Sequence, residues 1–416
     1  MLAVYKFGGA SVKDAEGVRN ITKIVEEAVK PLVVVISAMG KMTNAFEELT
    51  GFYFNKEKDL CQQKKQEILN YHKSIVENLF GDASGSPGFN YMSELLEQRL
   101  NQEPSRNFDF EYDQIVSFGE MFSTKIVADY WTSSDIGNMW VDVRTVIKTD
   151  DLYRDSNVNW ELTSELVTKT FSFNKENIYI TQGFLGGTLS NLTTTLGREG
   201  SDYSAAIIGY VMKADAVTIW KDVPGILNAD PRWSTNAVKI NELSYNEAIE
   251  LSFYGAQVIH PKTLKPLQNL DIPLHVKSFI KPENNGTVIW DRSGISENVP
   301  VYILKRNQVL LTVSPHDFSF IMEDRLIDIF TIFSRYRIKM NLMQNSALNF
   351  TACFDDNRQL DVLLEDLQKT FVVRYNKGVD LLTIRQYTDE AIKKMTSNRE
   401  VIDSQITRKV ARFVLR

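Results

Sequence analysis

Cysteine is nearly absent: Cys61 and Cys353 are the only two in 416 residues. They lie far apart and lack metal-ligand spacing, so the chain reads as a cytoplasmic protein with reduced thiols rather than a disulfide scaffold. Histidine is scarce too, and His72, His260, His275 and His316 are too scattered for a zinc pattern. No apolar run is long enough to cross a bilayer. The opening Leu2-Ala3-Val4-Tyr5 is too short for the core of a signal peptide. Basic tracts and rows of exposed aromatics are missing. With a formal net charge of −6, that argues against a nucleic-acid backbone as the partner. The expectation is a cytoplasmic protein with no membrane and no nucleic acid among its partners. Its length predicts two or three domains with ample core.

What the chain does have is glycine and hydroxyl residues gathered in a few places. The stretch Gly197-Arg198-Glu199-Gly200-Ser201-Asp202-Tyr203-Ser204 follows Gly183-Phe184-Leu185-Gly186-Gly187 and Thr193-Thr194-Thr195. It precedes a run of small residues at 205–210. The pattern is flexible loop, cap, helix, with Ser201 or Asp202 as the capping acceptor. Such a helix start carries open N–H donors and partial positive charge, which suit an anion. Arg198 adds a planar fork for a carboxylate or phosphate. An ordinary capped helix would read the same way.

Residues 2–7 read as a buried strand running into Lys6-Phe7-Gly8-Gly9-Ala10-Ser11-Val12. Residues 14–29 have helical spacing, Pro31 stops them, and Leu32-Val33-Val34-Val35-Ile36 is a second strand. This is a βαβ unit with a parallel pair, whose ligands bind beyond the carboxyl ends of the strands. Both strands end in small or hydroxyl residues, Gly8-Gly9-Ala10-Ser11 and Ser37-Ala38-Met39-Gly40. Gly8-Gly9 lets backbone N–H groups approach a phosphate, although P-loop spacing is absent. Lys6, near the end of a buried strand, must be paired or functional. Residues 42–80 read as mostly helical with a solvated charged face, and 81–88 as a loop. Phe118-Gly119-Glu120 leads into a helix at 121–131. Glu120 taken alone reads as a surface acid favoured by the helix dipole.

Further strands are expected at 178–180, 216–220 and 272–278. The second of these enters Lys221-Asp222-Val223-Pro224-Gly225-Ile226-Leu227-Asn228-Ala229-Asp230-Pro231-Arg232. That loop either holds a nucleotide phosphate with Mg²⁺ or is a self-satisfied salt-bridged turn. Residues 244–253 read as a helix, and another begins at Pro261, a favourable first position. His260, between Ile259 and Pro261, reads as a structural core histidine.

In combination these segments resemble the aspartate kinases of the amino-acid kinase family. Lys6–Val12 is similar to that family's Lys-Phe-Gly-Gly-Thr/Ser-Ser-Val signature. Ser37-Ala38 with Thr43, Phe118-Gly119-Glu120, Gln182-Gly183-Phe184 and residues 197–202, 221–232 and 255–261 match later motifs in the right order. The likeness covers residues 1 to about 295. It implies an α/β protein, an open, mainly parallel αβα sandwich (the amino-acid kinase fold). It also implies phosphoryl transfer from ATP, with Mg²⁺, to the side-chain carboxylate of L-aspartate, giving 4-phospho-L-aspartate for lysine, threonine and methionine biosynthesis.

The resemblance also implies roles. Lys6 neutralises charge on the transferring phosphoryl, and Gly8 and Gly9 line the phosphates. Ser37, Ala38, Thr43, Glu120, Phe184, Arg198 and Ser201 surround aspartate, with Arg198 on a carboxylate and Glu120 towards the ammonium. Asp202 supports the metal-phosphate region or organises Lys6. Asp222, Leu227 and Arg232 sit around the nucleotide, with Ser11, Lys221, Asp230, Gln257 and Val258 beside them. No residue is assigned as a dedicated metal ligand. Four positions depart from the commoner pattern: Ala10 for Thr, Glu199 for Gly, Lys221 for Thr and Gln257 for Lys. Lys221 is expected to replace the positive charge missing at Gln257.

Beyond a boundary at 296/297 the texture changes. Strands at 309–313, 338–342, 349–354 and 371–375, with helices at 318–335 and 360–370, spell βαββαβ, a ferredoxin-like unit. It resembles an ACT domain, the amino-acid-sensing module that follows aspartate kinase domains. The first unit spans about 307–378. A second, shortened one takes 379–416, with Val301–Leu304 (within 297–306) as its missing strand. Gln344-Asn345-Ser346-Ala347 occupies the turn that often carries Thr-Ser-Glu in lysine-sensitive relatives. Pairing of such units usually builds a homodimer, expected here with lysine or threonine as a possible effector. The other reading is a purely structural dimerisation domain. For the whole chain, the alternatives to an aspartate kinase are a kinase for another acid such as glutamate, or a catalytically silent amino-acid-binding regulator.

Overall fold

The computed structural model describes the whole chain except Thr235, Gln257, Val258, residues 292–298 and Phe318. Gln257 and Val258, expected beside the nucleotide, and the expected 296/297 boundary lie outside the described residues. The chain divides into two compact units. One comprises Met1–Ile226, Lys239–Ile249 and Val258–Ser296; the other Leu227–Val238, Glu250–Gln257 and Glu297–Arg416.

The first unit opens with β1 (Ala3–Phe7), α1 (Ala15–Glu26) and β2 (Leu32–Ile36). Asp14 caps α1 by accepting from the Gly17 N–H. The helical stretch expected over 42–80 is two helices, α2 (Met42–Phe54) and α3 (Lys58–Phe80). They part where Lys56 takes a φ of 60°, a left-handed conformation no helix continues through. Helix α4 (Pro87–Leu100) starts inside the expected loop because Ser86 caps it, accepting from the Phe89 N–H. Next come α5 (Phe108–Val116), α6 (Phe118–Ser133), β3 (Met139–Val141), α7 (Trp160–Thr170) and β4 (Ile178–Gln182). A hairpin of β5 (Leu185–Gly187) and β6 (Thr193–Thr195) leads to α8 (Gly200–Val211) and β7 (Ala216–Lys221). The rest is β8 (Glu242–Leu243), α9 (Tyr245–Tyr254, of which residues 245–249 fall in this unit), α10 (Pro261–Gln268), β9 (Leu274–Ser278) and β10 (Thr287–Ile289).

Eight of these strands form one sheet in the order β3-β4-β2-β1-β7-β9-β10-β8. All neighbours are parallel except β9 and β10. Strand β2 is buried along its whole length, as an unbroken Val/Ile/Leu run in a covered parallel sheet should be. The register sets Phe7 beside Ile36 on one flank and Trp220 on the other. The loops after β1, β2 and β7 therefore emerge together at one edge, where ligands of open α/β sheets bind.

The second unit contains β11 (Val301–Pro315), α11 (Glu323–Arg335), β12 (Met340–Asn345), β13 (Phe350–Asp355) and α12 (Leu360–Gln368). It continues with β14 (Phe371–Arg385), α13 (Asp389–Thr396), β15 (Val401–Ile406) and β16 (Val410–Leu415). One antiparallel sheet runs β12-β13-β11-β14-β16-β15. The two ferredoxin-like patterns are fused through β11 and β14, each fifteen residues long and paired from Val301–Arg385 to Pro315–Phe371. Val301–Leu304 pairs with Leu382–Arg385 of β14. Helices α11 and α12 close the first core with Ile329, Phe333, Leu363 and Leu367, each such side chain worth about 1.5–3 kcal/mol when fully buried. Helix α13 closes the second with Ala391 over Leu382, Ile384 and Phe413.

Candidate active site

A cavity of about 640 Å³ opens beyond the carboxyl ends of β1 and β7, a volume within the range of small-ligand sites. The turn after β1 closes on itself, with both the N–H and the hydroxyl of Ser11 bonded to the Gly8 carbonyl (3.0 and 2.6 Å). Gly9 meets the loop after β2, its carbonyl accepting from the Gly40 N–H at 3.0 Å. A Cβ on Gly9 would stand 2.6 Å from the carbonyl oxygens of Ala38 and Gly40, so only glycine lets these loops interlock.

Lys6, at the end of β1, reaches the first turn of α8, where its Nζ lies 2.7 Å from Asp202 Oδ1. Both side chains are largely buried. Burial opposes ionisation of Asp202, but Lys6 and then Lys221 outweigh it, so the carboxyl sits below its usual range. The lysine expected to be paired or functional is paired. The cap of α8 differs from expectation. Its N-cap is Glu199, in the left-handed region at φ 55°, and neither Ser201 nor Asp202 serves as cap. Both sit in the first turn of α8 and line the cavity.

Glu120 is no surface acid. It is 2 % exposed, because α6 enters the core and Gly119 packs against Ala38. The Ala38 N–H donates to Glu120 Oε1 at 3.2 Å. Oε2 has no hydrogen-bond partner among the described residues. Desolvation pushes this carboxyl up to about 8, against smaller opposing effects from the Ala38 N–H and Lys6.

Lys6, Gly8, Gly9, Ser11, Ser37, Thr43, Glu120, Phe184, Arg198, Ser201, Asp202, Lys221 and Asp222 all line this one cavity. Ala38 is buried and meets the site through its N–H. Leu227, Asp230 and Arg232 belong to the second unit. There Arg232 donates through Nε to both oxygens of Asp230, at 3.0 and 2.9 Å, the salt-bridged turn that was one of the two readings of this loop.

Sequence reasoning missed Glu47, Tyr112, Arg154 and Trp220, which also line the cavity. Arg154 stacks over the Tyr112 ring at 4.3 Å and lies 3.6 Å from Glu47. It sits in an irregular loop with no motif, so only tertiary structure brings it in. His260 is half-buried rather than a core residue. Its Nδ1 accepts from the Lys262 N–H, capping α10, and its own N–H donates to Glu199 Oε2 at 2.8 Å.

The Amino acid kinase family profile matches residues 1–278, and the chain belongs to that family. Within it, the chain is 31% identical over 396 residues to lysine-sensitive aspartokinase 3 of Escherichia coli (strain K12), covering 92% of this chain and 86% of that one. It is 31% identical over 388 residues to the aspartokinase of Chlamydia pneumoniae, covering 92% and 84%. The structure of E. coli aspartokinase III with lysine and aspartate (T-state) matches at a TM-score of 0.82 and 28% identity, over 99% of this chain and 95% of that one. The same enzyme with aspartate and ADP (R-state) matches at 0.81 and 28%, over 100% and 96%. By this likeness along nearly its whole length, the chain is an aspartokinase relative in both its kinase and its C-terminal parts. No helix among the described residues is long and apolar enough to cross a membrane.

Proposed function

We propose that this chain transfers the γ-phosphoryl of ATP to the side-chain carboxylate of L-aspartate, giving 4-phospho-L-aspartate and ADP. The observation that carries this reading is Glu120. A buried carboxylate with one oxygen unpartnered, lining a cavity that also holds Arg198, fits an amino acid whose ammonium it meets. Arg198 binds a substrate carboxylate, and Ser37, Ala38, Thr43, Phe184 and Ser201 complete the aspartate pocket.

The substrate carboxylate is already a competent nucleophile. One of its oxygens bonds to the γ-phosphorus as the bond to the β-phosphate oxygen breaks, and no proton has to move. What the protein supplies is positioning of two anions and neutralisation of the charge that spreads over the phosphoryl oxygens. Lys6 does the second, held by Asp202, while the open backbone at Gly8 and Gly9 lines the phosphates. Lys221, Asp222 and Ser11 attend the nucleotide, with Leu227, Asp230, Arg232, Gln257 and Val258 assigned to it by family likeness.

No group of three or more His, Cys, Asp or Glu among the described residues is arranged to hold a metal ion. Mg²⁺ would enter on ATP, since Mg²⁺ is commonly bound by phosphates, water and one or two carboxylates. Of the carboxylates that line the cavity, Asp202 and Asp222 would hold the ion. When bound, the ion neutralises phosphate charge.

We further infer a catalytic domain over 1–296 and an ACT-like regulatory and dimerisation region over 297–416, in a cytoplasmic homodimer that takes lysine or threonine as effector. The complex of the E. coli relative with lysine supports an amino-acid effector. The open edge of β12 and the exposed Phe320, Met322 and Ile327 support a second copy.

The test is an ATP- and Mg²⁺-dependent acyl-phosphate assay with hydroxylamine as trap, run with aspartate and with glutamate. Hydroxamate from aspartate alone is expected. Product from glutamate alone would mean a different acid kinase, and none from either a binding protein.

A further inference from the structure

Glu199 is an anomaly by its backbone. At φ 55° and ψ 28° it occupies a left-handed conformation that glycine adopts readily and a side chain resists. It follows Gly197, itself at φ 77°. The backbone of Glu199 starts α8, its carbonyl accepting from the N–H groups of Asp202 and Tyr203 at 3.0 and 3.2 Å. Its side chain does not serve that helix. It crosses to α10, where Oε2 accepts the His260 N–H at 2.8 Å. A carboxylate bonded to an N–H at a helix start is a charge-assisted contact aligned with the helix dipole.

A second tie lies on the other side of the loop. The side chain of Lys262, in the first turn of α10, forms an ion pair with Asp155. Asp155 lies against Gly197, so closely that a Cβ there would come within 2.5 Å of its Oδ1. The first turn of α10 thus grips residues 197–199 at both ends, through Glu199 directly and through Asp155 by packing. Between those ties is Arg198, and directly after them come Ser201 and Asp202.

We propose that Glu199 is a positioning residue: its carboxylate latches the 197–202 loop to the first turn of α10 and thereby fixes Arg198, Ser201 and Asp202 in the cavity. A glycine would satisfy the backbone better, so what the glutamate adds is the latch. The proposal rests on the reading of Arg198 and Ser201 as aspartate-binding residues. Glu199 touches no reacting atom in this account; it acts through its neighbours.

The experiment compares the full-length wild type with Glu199→Ala, Glu199→Gly and Glu199→Gln. Three quantities are read: amide exchange in the peptide ending at His260, thermal unfolding, and aspartate and ATP kinetics in the hydroxamate assay. Glu199→Ala and Glu199→Gly should lose protection at the His260 amide and raise the aspartate KM about tenfold, the equivalent of one charged hydrogen bond. The ATP KM should stay within about twofold. Glu199→Gly should unfold close to the wild-type temperature, because relief of the left-handed backbone offsets the lost hydrogen bond, so a raised KM there is not a folding defect. Glu199→Gln keeps an acceptor oxygen and should stay near wild type.

An unchanged aspartate KM in Glu199→Gly, or an unprotected His260 amide in the wild type, overturns the latch. So does a Glu199→Gln variant as impaired as Glu199→Ala. Failure of the underlying reading looks different: the wild type then makes no hydroxamate from aspartate, while amide exchange still reports on the latch.

Discussion

Lys6 Nζ and Asp202 Oδ1 stand 2.7 Å apart, joining the end of β1 to the first turn of α8. In the proposed mechanism Lys6 neutralises charge on the transferring phosphoryl and Asp202 holds it in place. Removing one partner of a buried pair leaves the other uncompensated, which typically costs about 3–5 kcal/mol. Here both partners border a cavity, so water or a proton can relieve part of that. Lys6→Ala and Asp202→Asn should each lower kcat about a hundredfold or more and leave a folded protein by circular dichroism. As members of one unit they should not add. A double variant much slower than Lys6→Ala alone would show that Asp202 has a separate catalytic task.

Glu120 gives a pH dependence whose sign can be worked out. Its carboxyl rises from the ordinary 4.5 of a glutamate side chain to about 8 in the folded protein. Between those values the folded protein holds a proton that the unfolded chain has lost. Stability contributed at this site therefore falls as pH rises through that window, and is fully present only below it. Binding of an ammonium needs the ionised form. Below pH 8, aspartate binding must expel the proton, so affinity should climb by up to about tenfold per pH unit towards pH 8 and then level off. Calorimetry in buffers of different ionisation enthalpy should record about one proton released near pH 7. Glu120→Gln should abolish that release, bind aspartate weakly at every pH, and melt higher than wild type at pH 8.5. Proton release that survives in Glu120→Gln would place the titrating group elsewhere.

Gly9 carries a prediction of the opposite kind, in which chemistry is untouched and only space is lost. A Cβ at 2.6 Å from two carbonyl oxygens cannot be absorbed by a rotamer change, because both neighbours are backbone. Gly9→Ala must separate the loops after β1 and β2, breaking the bond from the Gly40 N–H. Loss of one such bond and the accompanying strain should destabilise by about 1–3 kcal/mol and raise the KM for both substrates, since the proposed phosphate and aspartate sites lie on these two loops. A Gly9→Ala variant with wild-type melting temperature and kinetics would contradict the interlock.

How much of this was legible beforehand differed residue by residue. Lys6 was legible because a charged residue in an apolar strand has few explanations, and its partner lies in the glycine-rich stretch 197–204. The parallel sheet was legible because its central strands are continuous apolar runs. The burial of Glu120 was not: it comes from α6 entering the core, which no local pattern encodes, and only the family resemblance pointed to this residue. Arg154 was invisible because it sits in an irregular loop that carries no motif. Residues 301–304 and 309–313 were read as separate strands, whereas both belong to the single strand β11. In the structure Asn307 takes φ 53° and the pairing shifts register around it, so the strand runs on through a bulge. Ser201 and Asp202 were expected as caps because Ser and Asp usually are. The backbone of Glu199 took that position instead, and their side chains were left for the cavity.

Lys221 closes the electrostatic account of the site. It ends β7, lines the cavity, and is the second charge, after Lys6, that holds the Asp202 carboxyl below its usual range. A threonine, frequent in relatives at this position, has no such charge. If Lys221 supplies the positive charge that the family commonly places where this chain has Gln257, then Lys221→Thr should raise the ATP KM about tenfold or more. The aspartate KM should change little, because Arg198 and Glu120 do not depend on it. Asp202 would keep Lys6 as its direct partner, so folding should survive. Titrating ATP with Lys221→Thr at saturating aspartate decides the matter, and an unchanged ATP KM would remove Lys221 from the nucleotide site. Adding Gln257→Lys to that variant should then restore nucleotide affinity, because the charge returns at its commoner position.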